Sequence, residues 1–157
     1  MPLSVKVRTR NITAVTDQLK VIDYRLSRPF SNKRTTEAVM GVYADHATDM
    51  LGSQGRGNWP RLNPRYAAWK NKVRPGRPML VFDGTLSRAL TDINNRRFKA
   101  QTKNARLTLW PDVPYAAAHQ AGLKTKQRKF IDLRQQDANN IGRAVLGGAF
   151  RGLHNIL

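Results

Sequence analysis

The sequence has no cysteine, only one glutamate and no long apolar run, and each shortage removes a class of function. Without cysteine there is no disulfide framework, no thiol nucleophile and no thiolate metal site, which fits synthesis in a reducing compartment. Glu37 and nine aspartates are all the acid the chain holds. Scattered among 28 lysines and arginines, those ten acids form no recognisable pair of the kind a carboxylate hydrolase needs. The three histidines lie far apart in sequence, so a metal site would need carboxylate helpers at spacings that are absent. No segment approaches the roughly 20 apolar residues that span a bilayer, and MPLSVKVRTR lacks the apolar core of a signal peptide. The chain is therefore expected to be soluble, made inside a cell, without a membrane partner, metal or cofactor.

What is present is positive charge. Against 10 acids, 28 cations give a net +18 on 157 residues, a length that suits one domain with one core. Such a surface repels its own kind and attracts nucleic acid, an anionic membrane or an acidic protein. The cations are spread along the chain with no zinc-finger, helix-turn-helix or RNA-binding signature.

Periodicity supplies the elements. Leu3, Val5 and Val7 alternate as in a strand, and Ile12, Val15, Leu19, Ile22 and Leu26 form a stripe on a helix that Asn11 could cap. SRPFSNKRTT reads as a loop. A second helix is predicted over 36–51, with Val39, Val42, Tyr43, His46, Ala47 and Met50 on one face and His46 as a half-buried packing residue. In GSQGRGNWPRLNPRYAAWKNKVRPGRP, a short helix starts at the Asn63 cap and Pro64. Its tryptophans, Trp59 and Trp69, either pin this excursion to the core, the favoured reading, or offer an aromatic surface to a base or a partner. MLVF reads as strand-like, running through a cap at Asp83 or Thr85 into a short helix with Leu86 and Leu90. RRFKA and ARLTLW flank QTKN as a β-hairpin with Phe98, Leu107 and Leu109 inward and the cations outward. The last helix is predicted over 135–150 with Ile141, Ala144, Val145 and Ala149 on one face, followed by a loose tail at 151–157. The fold class is α+β: an antiparallel sheet with a hairpin packed on one or two long helices.

Catalytic motifs are missing. FDGTLSRAL holds a serine without the G-x-S-x-G elbow, and GSQGRGNW lacks the Lys-Ser/Thr of a phosphate loop. A Mg²⁺ nuclease on Asp83, Asp112 or Asp132 has no supporting spacing, and the chain is not expected to be an enzyme.

Four blocks, NWPRLNPRYAAWK, MLVFDGTLSRAL, PYAAAHQAG and RKFIDLRQQD, stand in an order and at a spacing that resemble the phage virion morphogenesis proteins, the tail-completion family of Mu-like and related tailed phages. They cover about half the chain, from Asn58 to Asp137. The chain departs from the family at Gln127-Arg128-Lys129, where the family places proline on each side of the arginine, and at Phe82-Asp83-Gly84, where Thr-Gly is commoner. The resemblance implies a structural subunit that assembles as a ring, sixfold in one version, at the neck between head and tail. Its partners would be the tail tube or tail terminator and the head connector or adaptor, with DNA in the channel nearby, and its place the virion after synthesis in the bacterial cytoplasm. The tail-completion-like core would be residues 36–150, with 1–35 open to use as an arm. Subunit, neck-partner or DNA contacts would fall on Trp59, Trp69, Tyr115, His119, Gln120, Lys124, Lys126, Arg128, Lys129 and Phe130. Within that set His119 and Gln120 would hold the following loop by hydrogen bonds, and the cations behind them would face a neighbour. A basic DNA-binding accessory protein is the competing reading.

Overall fold

The computed structural model of the chain describes residues 10–152, so the strand expected at Leu3 to Val7 lies outside the described residues. Helix α1 (Arg10–Ser27) begins ahead of Asn11, which therefore sits inside it and not at its cap. A single 3₁₀ turn (Pro29–Ser31) separates it from α2 (Lys33–Gly52), where a longer loop was expected. The reason is Asn32: its side chain accepts the Arg34 N–H at 2.9 Å, so a helix can start three residues earlier than the apolar pattern suggests. Then follow α3 (Pro64–Val73), α4 (Thr85–Thr91), the strands β1 (Phe98–Lys103) and β2 (Arg106–Pro111), α5 (Ala116–Ala121) and α6 (Gln135–Ala149).

The core lies where α2 meets α4. Tyr43, Ala47 and Leu51 of α2 pack with Leu86, Ala89 and Leu90, and with Phe98, Val113, Ala116 and Phe130 from the second half of the chain. Tyr43 meets Phe98 edge-on at 5.5 Å between ring centroids, and its burial pushes the phenol up to about 12. Leu86 and Leu90 are the largest fully buried side chains. Truncating either to alanine would cost about 2–5 kcal/mol. On its other side α2 carries α6, which approaches so closely that a methyl group on Gly148 would fall 2.0 Å from Thr35 Oγ1.

The α+β class is what the structure shows, with a sheet of two antiparallel strands. Phe98 pairs with Pro111 and Lys103 with Arg106, which leaves a two-residue turn with Asn104 in the left-handed conformation. QTK therefore belongs to β1 and not to the turn. Alternation puts Phe98, Leu107 and Leu109 on the core side, as expected, and Lys99, Lys103, Arg106 and Trp110 on the other.

MLVF is not a strand: residues 79–82 run through turns, with Leu80 at φ 60° and the Val81 N–H donating to Pro78 at 3.2 Å. A short apolar run points inward equally well from a turn, and periodicity cannot tell the two apart. The helix after it starts at a left-handed Gly84, with Asp83 accepting the Thr85 N–H at 2.8 Å. Much of the apolar stripe of α1 faces outward. Val15, Leu19 and Leu26 are exposed, Leu19 by 59%, as are Val21 and Tyr24. Among the described residues no helix is long and apolar enough to cross a membrane.

Candidate functional site

Residues 122–134 join α5 to α6 without regular secondary structure, so their backbone groups need partners from elsewhere. Side chains supply them. Gln120 Oε1 accepts from the N–H groups of Phe130 and Ile131 at 3.0 and 3.1 Å, while Nε2 donates to the Ile131 carbonyl at 2.8 Å. Trp59 Nε1 donates to the Lys129 carbonyl at 2.8 Å. Phe130, 2% exposed, plugs the segment into the core.

The far end is held by a buried histidine. His46 Nε2 accepts the Asp132 N–H at 3.0 Å, so that nitrogen carries no proton, and Nδ1 faces Asp137 Oδ2 at 3.1 Å as the donor. The same carboxylate accepts the Arg134 N–H at 2.8 Å and opens α6. Burial works to raise the Asp137 pKa, but the Arg134 N–H and the His46 imidazole outweigh it and hold the carboxyl below its ordinary value. His46 is thus buried and hydrogen-bonded across 91 residues of sequence, more than the half-buried packing role expected of it.

Arg128 turns inward, which corrects the expectation that it faces a neighbouring subunit. Its guanidinium donates to the Pro60 carbonyl at 3.2 and 2.9 Å and to Arg61 at 3.3 Å, and its N–H donates to the His119 carbonyl at 2.8 Å. These bonds, with Gln127 Nε2 donating to the Gln120 carbonyl at 3.1 Å, fix the loop.

The loop, the start of α3, the turn at 79–83 and α5 enclose a cleft of about 890 Å³. Two basic side chains in its wall, Lys70 and Arg128, are each only 5% exposed. Among the described residues neither has a carboxylate in ion-pair range. Lys70 Nζ donates to the Pro78 carbonyl, and burial lowers the pKa of both groups. His119 lines the same cleft with Nδ1 buried and without a hydrogen-bond partner among the described residues. Burial first, and the Arg128 charge second, lower its pKa, so the ring is neutral at pH 7. Tyr66, Phe82 and Tyr115 make the wall largely apolar, and Arg61 and Lys126 stand at the rim. One acid, Asp83, lies at the edge; it is exposed, and the Thr85 N–H, the Thr85 hydroxyl and Arg88 hold its pKa low.

The expected contact residues therefore divide. Tyr115, His119, Lys126 and Arg128 meet at the cleft. Trp59, Gln120 and Phe130 bind the loop to the fold, and the first and last are too buried to serve as free surface. For Trp59 the pinning role is the one observed. Trp69 is 50% exposed and stacks on Phe82 at 5.6 Å, while Lys124 and Lys129 are exposed on the loop. Of the two hydrogen-bonding residues expected to hold the loop, Gln120 does so through its side chain, but His119 only through its backbone. Sequence reasoning missed Lys70, whose one signal is its place one helical turn after Tyr66, and the pairing of His46 with Asp137. Among the described residues no three His, Cys, Asp or Glu side chains group as a metal site.

No family model, curated protein or solved structure matches the chain. Its function has to be argued from these residues.

Proposed function

We propose that this chain is a structural virion protein of a tailed phage that acts in tail completion and joins head to tail at the neck as a ring of identical subunits. The observation that carries the reading is the apolar surface left on two neighbouring helices. Val15, Leu19 and Leu26 of α1, and Leu146 and Phe150 at the end of α6, are exposed on a chain of net charge +18. Arg25 ties the two helices together by donating to the carbonyls of Ala149 and Arg151 at 3.0 and 2.8 Å. An apolar band on so polar a surface is what an assembling subunit keeps for its neighbour. Three of the four blocks that resemble the tail-completion family also meet in one place: Trp59 and Arg128 join the first to the fourth, and Gln120 joins the third to the fourth.

Like-charged subunits in contact lie within a Debye length of about 8 Å, so the ring needs an acidic neighbour to close. Tail tube, tail terminator or head connector would provide it, and the protein's place would be the virion neck. The test is a phage lysate made without this chain. Full heads and finished tails should accumulate apart, and purified protein should join them. Protein with Lys124 and Lys126 reversed to glutamate should not; Arg128 is no probe of the interface, because reversing it would break the loop's own bonds. Joined virions at normal yield without the protein would end this reading.

One observation favours a DNA-binding accessory protein instead. The outward face of the hairpin carries Lys99, Lys103 and Arg106 beside an exposed Trp110, a combination of cations and a stacking surface. Sedimentation with a duplex at about 50 and 300 mM salt separates the two readings, because phosphate contacts weaken steeply with salt. A complex that survives the higher salt would put DNA first.

A further inference from the structure

The cleft beside α3 holds more positive charge below its surface than the chain neutralises. Burying a cation without a counter-ion is costly, and proteins rarely accept that cost twice in one wall. Arg128 directs its guanidinium to backbone carbonyls, which satisfy its hydrogens but not its charge. Lys70 has one bond, to the Pro78 carbonyl, for three hydrogens. His119 presents a buried ring nitrogen with no partner among the described residues. Asp83, the acid at the edge, is engaged by Thr85 and is a partner of neither cation.

We propose that this cleft binds an acidic, extended segment of a partner protein, with an aspartate or glutamate carboxylate reaching Lys70 and His119 and adjoining apolar side chains resting on Tyr66, Phe82 and Tyr115. Lys70 supplies the free hydrogens. Arg128 supplies field without moving, since its geometry is fixed by the loop. His119 gains a reason to protonate: a carboxylate in the cleft offsets the Arg128 charge that helps to keep the ring neutral. The largely apolar wall favours a peptide over a bare anion, which would leave the aromatic side chains uncovered. Duplex DNA carries its phosphates on the outside of a stiff cylinder and cannot bring one to Lys70. The rim cations Arg61 and Lys126 would steer the segment in.

The inference stands on the cleft and not on the virion reading, because an isolated chain can bind the peptide whether or not heads and tails need it. The probe is a fluorescein-labelled Asp-Phe-Asp-Leu-Asp peptide, added to the full chain at about 150 mM salt and followed by anisotropy, with Asn-Phe-Asn-Leu-Asn and ten-nucleotide oligo-dT as competitors. The acidic peptide should bind at least about tenfold tighter than its amide counterpart, and the double variant R61E/K126E should lose about tenfold. In wild type the imidazole resonances of His119 should show its pKa rising on binding, a change that only a ligand in the cleft produces. Lys70→Met should abolish binding; if that variant melts early, the rim variant and the His119 titration decide. Equal affinity for the amide peptide, no saturable binding, an unmoved His119, or tighter binding of oligo-dT in competition would each overturn the proposal.

Discussion

Gln120→Leu tests the account of the loop most directly. The substitution keeps the side chain's bulk and removes three hydrogen bonds, those to the Phe130 N–H, the Ile131 N–H and the Ile131 carbonyl. A net contribution of about 1 kcal/mol each puts the loss near 3 kcal/mol. A domain of this length loses about 2–4 °C per kcal/mol, so the melting temperature should fall by about 6–12 °C. The local effect is sharper. If the loop opens on its own, the amides of Phe130 and Ile131 should exchange with solvent about 100-fold faster, since about 1.4 kcal/mol is tenfold. Gln120→Glu separates donor from acceptor, because it keeps oxygens for the two N–H groups and gives up the bond to the Ile131 carbonyl; its loss should be smaller. Calorimetry gives the first number and native-state hydrogen exchange the second. A fall of less than about 2 °C in Gln120→Leu, with both amides still protected, would mean that Phe130 burial alone seats the loop and that the Gln120 bonds are incidental.

Two further substitutions probe the frame around the cleft. Asp137→Asn should destabilise the protein at pH 7 by about 1.5–3 kcal/mol, the usual contribution of hydrogen bonds to a charged group. Because the folded carboxyl titrates below its ordinary value, that stability is present above about pH 4 and is lost as pH falls through the folded pKa. Urea unfolding should therefore show the gap between wild type and variant closing toward pH 3, and a gap constant with pH would count against a charged Asp137. Adjacent glycines in α6 should respond with opposite signs. At Gly147 nothing lies within 4 Å of an added methyl, so Gly147→Ala should stabilise by about 0.5–1 kcal/mol. At Gly148 the methyl meets buried Thr35, so Gly148→Ala should cost about 1–3 kcal/mol by pushing α6 off α2. Equal effects in thermal melts would show that the two helices are not in that contact.

The elements were largely legible and the site was not, for a physical reason that particular residues show. Asn63 followed by Pro64 announces a helix start, and the Asn63 side chain does accept the Arg65 N–H at 3.0 Å. Phe98, Leu107 and Leu109 alternate because they lie on the face of the hairpin that turns toward the core, and alternation survives in any sequence that keeps that face there. Lys70 obeys no such rule. A lysine on a short helix between Trp69 and Asn71 reads as solvated, and its burial depends on where the turn after the helix aims the Pro78 carbonyl. Arg128 is similar: the run Lys124 to Lys129 reads as one exposed basic loop, yet the carbonyls of Pro60 and Arg61 draw its third cation inside. The reading of His46 as a half-buried packing residue fell short in the same way. Nothing in the sequence around His46 points across the fold to Asp137.

Buried and exposed cations should also behave differently as partners, which bears on what the +18 is for. Charges on the hairpin face lie in water, and pairs formed there contribute little and are screened at ordinary ionic strength. Lys70 and Arg128 are each only 5% exposed in the folded chain, and burial lowers the pKa of both. A carboxylate that reaches Lys70 therefore gains attraction in a less polar medium, while the desolvation of the two cations has been met by folding. Raising salt from about 50 to 300 mM should thus strip a nucleic acid from the hairpin face well before it releases an acidic segment from the cleft. On that basis the surface charge would set how fast partners are found, and the two buried cations would decide which of them stays bound.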